Sequence, residues 1–190
     1  MKVAEILMAT GATFVTEEVY TCHFSFGGIK HDRHFGLHRA SCSRTPWHPR
    51  GSEIFNTRQI SIVALEDCAL VAARLEIDKI KPSWLGANLA VSYAPGLNAI
   101  EPATRLVFPS GATLYVTEEN VPCRQPGQII SDFYGRPGVA AEFVKQAMGL
   151  RGGVALVERA GATSLKDNTR IGRPPNTTRA VAQHCTTPPQ

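Results

Sequence analysis

Four short stretches hold the residues best equipped for chemistry. The first is Asn120-Val121-Pro122-Cys123-Arg124-Gln125-Pro126-Gly127, one cysteine between two prolines with an arginine beside it. Thiolate is the nucleophilic and metal-binding form of cysteine, and a neighbouring cation favours it. The prolines restrict the backbone, which holds the side chain in a fixed direction. Such a sulfur can ligate a soft transition metal or carry a second sulfur as a persulfide. The ordinary alternative is a small buried hydrophobe. Cys68, inside an apolar helical pattern, is of that kind, and Cys22, Cys42 and Cys185 lack a comparable setting.

The second stretch, "GIKHDRHFGLHR", places His31, Asp32, Arg33, His34, His38 and Arg39 close together. If helical, His31, His34 and His38 align on one face, as a zinc site would need. Gly36 and the preceding Gly27-Gly28 argue against a regular helix. Arginines and imidazoles can instead surround a phosphate, arginine through bidentate hydrogen bonds. A solvated surface loop is the third reading. Further on, Arg58 stands just before a predicted strand, where it can face a pocket or simply be solvated. In "WLGANL", Gly86 suits a positive φ or a close approach. Asn88 can orient the loop there, or both residues can serve plain turn chemistry.

The elements that must position these residues follow from periodicity. Val3–Met8 and the β-branched and aromatic run Phe14–Phe26 are predicted extended. Residues 29–52 carry four arginines, one lysine and four histidines with little periodicity. They are predicted as a long loop, and long loops in compact domains are often functional. Gln59–Val63 alternates as a strand, and Leu65, Cys68, Ala69, Ala72 and Leu75 then recur at helical spacing. A strand follows the Gly86 turn. Residues 104–120 form a predicted hairpin that turns at Pro109-Ser110-Gly111. The Cys123 loop comes next. A helix is predicted from near Pro137 to Gly149, with Ala140, Phe143, Val144 and Ala147 as its apolar face. Another strand lies within 152–162. Many short strands and two helices predict a β-rich α+β domain over residues 1–170, a barrel with peripheral helices. Residues 171–190 predict a poorly ordered tail.

Composition narrows the function classes. With 190 residues, 43% hydrophobic and 19% charged, the chain reads as one soluble globular domain. A net charge of +4 suits an anionic small ligand. It is too weak to imply nucleic acid, and no Lys/Arg-rich run supports that partner. The N-terminal apolar run is too short for a membrane span. Five cysteines without a CxxC pair fit reduced thiols in a cytoplasmic protein. The dinucleotide, P-loop, HExxH and GxSxG signatures are absent.

Taken in order, these stretches resemble the MOSC domain family, named for the C-terminal domain of molybdenum-cofactor sulfurase. "GIKHDRHFGLHR" resembles its acidic–His–x–Gly segment through Asp32, His34 and Gly36. "LGANLAV" resembles its Gly–x–Asn–Leu motif, and "GLNAIEPATRLVFPSGATLYVTEENVPC" the approach to its Pro-Cys, here Pro122-Cys123. "TRQISIVALED" and "RGGVALVERAG" are similar to its intervening and closing strands. Residues 40–55 stand as an insertion.

The resemblance implies a β-barrel that binds the molybdenum cofactor, a molybdopterin. Cys123 would be the catalytic residue and the metal ligand, with Asp32, Arg33, His34, His38, Arg58, Asn88 and Arg124 binding the cofactor. One implied role is a reductase of N-hydroxylated small substrates, fed by an electron-donor protein. The other is a sulfur carrier in which Cys123 holds a persulfide from a cysteine desulfurase, with pyridoxal phosphate only on that partner. A zinc protein built on the histidine loop is the third possibility.

Overall fold

The computed structural model describes residues 1–11, 13–92 and 101–172. It opens with strands β1 (Lys2–Met8), β2 (Glu17–Val19), β3 (Thr21–Ser25), β4 (Gly28–Ile29), β5 (His38–Ala40), β6 (Glu53–Phe55) and β7 (Ile60–Ala64). Helix α1 (Leu65–Arg74), a 3-10 turn (Pro82–Leu85) and β8 (Leu89–Ser92) follow. After β9 (Arg105–Val107) and β10 (Thr113–Glu119) come helices α2 (Arg124–Tyr134) and α3 (Val139–Gln146). Strands β11 (Gly153–Arg159), β12 (Gly161–Ser164) and β13 (Arg170–Gly172) close the described chain. Of the tail predicted over 171–190, Ile171 and Gly172 instead end β13, and the remainder lies outside the described residues.

All five residues of β7, Ile-Ser-Ile-Val-Ala, are buried. A continuous apolar run marks a strand covered on both faces, and β7 lies inside an eight-stranded sheet ordered β13-β9-β10-β11-β7-β8-β1-β2. Every pairing in it is antiparallel except β7 with β8. That crossover is made by α1, whose buried side includes Cys68, Val71 and Ala72. Side chains alternate between faces, so Ile60, Ile62, Leu89 and Val91 join one core and Val63 and Ala90 the other. The first core is shared with Cys22 and Phe24 of β3 and Ile29 of β4. The second is closed by the helices through Val71, Leu75, Ile130 and Phe143.

The predicted barrel is not found. Among the described residues β13 and β2 are the two ends of the large sheet, with no pairing that joins them. The reason is visible at Tyr20. The extended run predicted over Phe14–Phe26 divides there, β2 pairing with β1 while β3 pairs with β12 and β4 in a separate three-stranded sheet. That small sheet packs its apolar side onto the large one, and the segment before β13 hydrogen-bonds back to the start of β1 through Val3 and a Lys2–Asn168 bridge, a local contact and not a continuous strand ladder.

A third helix, α2, replaces the loop predicted after Cys123. Its Pro126-Gly127 pair resembles a turn signal, yet proline is tolerated in the first turn, where N–H groups have no helical partner. A side chain at Gly127 would collide with the Ala140 backbone, 2.7 Å from its carbonyl oxygen, so the glycine allows α2 to lie against α3. The predicted strand, helix and hairpin at β7, α1 and β9–β10 form as read, and α3 buries Val139, Phe143 and Ala147.

Candidate functional site

A cavity of ≈ 450 Å³ opens where β7 and β8 begin and β10 ends. Arg58 enters it from just before β7. Its guanidinium is held at two points, donating to Asn120 Oδ1 at 2.9 Å and pairing with Glu118 Oε1 at 2.8 Å. Asn120 is buried and donates to Ser61 Oγ at 3.3 Å, which ties the end of β10 to β7. Asn56 fixes the histidine loop by donating to the carbonyls of His34 and Gly36 and accepting from the Arg58 N–H.

His34 is oriented from behind. The buried Asp32 carboxylate accepts from the His34 backbone N–H at 2.8 Å and meets its Nδ1 at 3.0 Å. An ionised carboxylate only accepts, so Nδ1 carries a proton and Nε2 is the ring nitrogen turned away from Asp32. The other Asp32 oxygen accepts from the Ala9 N–H and Asn88 Nδ2. Burial pushes the Asp32 carboxyl upward, but the hydrogen bonds from His34 and Ala9 outweigh it and hold the group below its ordinary range. Asn88, fully buried, also accepts from the Ser61 N–H and donates to the Leu7 carbonyl. It stitches β1 and β7 to the loop. Gly86 has φ +63°, and a side chain there would meet Phe14 at 3.1 Å, so the predicted glycine turn forms and closes one cavity wall.

Cys123 lines the cavity as the residue immediately before α2. It is half-buried. Arg151 lies deeper, 5% exposed, with Nη2 donating to the Leu85 carbonyl. Burial lowers its pKa to about 10, against the opposing influence of Cys68 and Cys123. Arg151 Nη1 is buried without a hydrogen-bond partner, as are Nε and Nη2 of Arg39. Arg33, Arg39, Arg44, Arg58 and Arg151 all line the cavity, and no Asp or Glu does among the described residues. Unsatisfied buried guanidinium nitrogens beside a soft sulfur donor fit an anionic ligand, phosphate-bearing molybdopterin included.

Of the predicted residues, the cavity gathers Cys123, Arg33, His34, His38 and Arg58. Asp32 and Asn88 lie behind it and position others instead of lining it. Arg124 faces an adjacent groove lined by Phe14, Val15 and Gln128. His31, at φ +72°, is exposed, and the segment carries no helix, so the three-histidine face does not form. Among the described residues no group of three or more His, Cys, Asp or Glu is placed to hold a metal ion. Arg39, named in the histidine–arginine stretch, also lines the cavity, whereas Cys42, Arg44 and Arg151 have no such reading in the sequence. Cys42 and Arg44 belong to the loop flagged for its arginines, and "RASCSR" flanks Cys42 with two of them. For Arg151 the only signal was the Gly-Gly that follows it.

Known proteins share this fold. A curated protein of Bacillus subtilis (strain 168), YuaD, is 43% identical over 171 residues, covering 90% of this chain and 89% of its own. It is described provisionally among metal-sulfur cluster biosynthesis proteins. The crystal structure of Bacillus subtilis YuaD superposes with a TM-score of 0.88 at 42% identity, over 92% of this chain and 96% of that one. YiiM from Geobacillus stearothermophilus shares the fold at a TM-score of 0.60 and 10% identity, over 90% and 75% of the two chains. Residues 30–171 match the MOSC domain, and the chain belongs to the MOSC domain family.

Proposed function

We propose that this chain is a sulfur carrier: Cys123 takes a sulfane sulfur as a persulfide and delivers it to an anionic acceptor held by the arginine cavity. The supporting observation is the convergence of the Cys123 thiol with five guanidinium groups, several of whose buried nitrogens have no partner. The description of YuaD as a metal-sulfur cluster biosynthesis protein points the same way. In loading, Cys123 Sγ attacks the outer sulfur of a donor persulfide. A new S–S bond forms on Cys123, the donor's S–S bond breaks, and the donor leaves as a thiolate, so no net oxidation occurs. A pyridoxal-phosphate cysteine desulfurase is the donor class.

The acceptor class is a phosphate-bearing molybdopterin or a metal–sulfur precursor. Arg39 and Arg151 bind its anionic groups, and His34 presents its Nε2 edge to it. A molybdenum-loaded molybdopterin would supply a thiophilic metal, which the Cys123 thiolate would ligate. The cavity volume exceeds what a persulfide needs and suits a resident cofactor. That favours a second reading, in which Cys123 ligates molybdenum in a reductase of N-hydroxylated substrates served by an electron-donor protein.

One experiment separates them. Purified protein is incubated with a cysteine desulfurase and cysteine, and its intact mass, molybdenum and pterin are measured. The carrier gains one sulfur atom that reductant removes and that Cys123→Ser never acquires. Stoichiometric molybdenum and pterin without sulfur gain would establish the reductase reading instead.

A further inference from the structure

A second thiol shares the cavity. Cys42 lines it together with Cys123 and is likewise half-buried. The sulfur is presented by a tight turn in which the Thr45 N–H donates to the Cys42 carbonyl and Thr45 Oγ1 accepts from the Cys42 N–H. Arg39 Nη1 donates to Cys42 Sγ at 3.6 Å. The backbone N–H of Arg44, Arg39 and the Arg44 charge together hold the thiol below its ordinary pKa, against slight burial. Cys22 and Cys68 are pushed up to about 12 by burial and are inert by comparison. Arg44 Nη1 also donates to the Val121 carbonyl at 3.1 Å, strapping the Cys42 turn to the segment that ends at Cys123. Arg151, buried and with Nη1 unpartnered, lines the same space.

We propose that Cys42 is the resolving thiol of Cys123, expelling the carried sulfur as hydrosulfide. The inference rests on the carrier reading. The Cys42 thiolate attacks Sγ of the Cys123 persulfide. A Cys42–Cys123 disulfide forms and the bond from Cys123 Sγ to the outer sulfur breaks. The outer sulfur leaves with that electron pair as HS⁻, so it is reduced while the two cysteines end oxidised. A dithiol reductant of the thioredoxin class returns the pair to thiols. The unpartnered Arg39 and Arg151 nitrogens receive the anionic leaving group, and the acceptor in the cavity meets hydrosulfide formed in place.

The test loads the full chain with inorganic polysulfide, removes the excess, and follows hydrosulfide release and peptide disulfides. Wild type releases one equivalent and yields a Cys42–Cys123 linked peptide. Cys42→Ser takes up sulfur on Cys123 but releases it roughly tenfold or more slowly. Release at the wild-type rate from Cys42→Ser overturns the proposal, as does failure of diamide to link the two cysteines in the wild type. If Cys123 acquires no sulfur even in Cys42→Ser, the carrier reading falls and takes this inference with it.

Discussion

Asp32 shows how a residue can be essential to a site it does not line. Its carboxylate holds the His34 ring, the His34 and Ala9 N–H groups and the Asn88 amide. Hydrogen bonds to a charged group contribute about 1.5–3 kcal/mol each, so Asp32→Asn is expected to cost about 2–4 kcal/mol by chemical denaturation. The folded carboxyl titrates below its unfolded value. Its contribution is therefore complete above the unfolded pKa of about 3.9 and is lost as pH falls through the lower folded value. Asp32→Asn should flatten that acid limb; an unchanged acid unfolding profile would show that the network carries little. In the sequence, Asp32 and Asn88 stand beside the right residues; the family resemblance implies ligand contacts for both, while the loop-orienting reading of Asn88 is the one its hydrogen bonds match. Polarity and spacing gave their neighbourhood, but burial depends on β1 and β7 closing over them, and that is tertiary.

At the scale of elements, the join between Arg151 and β11 is the tightest point. Gly152 has φ +77°, and a Cβ there would collide with the Ile62 carbonyl of β7. Its own carbonyl accepts from the Asn120 N–H at 2.9 Å. Gly152→Ala combines strain at positive φ with backbone collision, and should destabilise by about 3 kcal/mol. Because the same shift moves Arg151 and Asn120, anion binding should weaken beyond what the stability loss explains, measured by isothermal calorimetry with inorganic phosphate under folded conditions. Strands and α1 were legible because period 2 and period 3.6 are written in β7, β10 and the Leu65–Leu75 face. Helix α2 was not, since Pro126-Gly127 reads locally as a turn and only the approach of α3 explains the glycine. A closed barrel is not found among the described residues for a similar reason: nothing in Phe14–Phe26 states that the chain changes sheets at Tyr20.

For the whole molecule, the cavity is a cation-rich space in a chain of net charge only +4. Its positive character is local, which overall charge understated and the Arg/His-rich loop signalled. Phosphate at about one hundred times its Kd should raise stability by about 2.7 kcal/mol, a shift of several degrees in Tm by differential scanning fluorimetry. Equal ionic strength as chloride should not reproduce it, and Arg58→Ala and His34→Ala should each reduce it. An equal shift in both variants would place the anion elsewhere.

The walls of that cavity come from Phe14, from the loop at 33–44, from 56–61, from 85–86, from 120–125 and from 151–154. No short contiguous fragment of the chain contains them, so the site exists only once distant parts of the sequence have met. A ligand touching all of them acts as a noncovalent staple. It suppresses the partial openings of each segment together, and amide exchange in β7, α2 and β11 then slows in common, at a rate set by ligand departure.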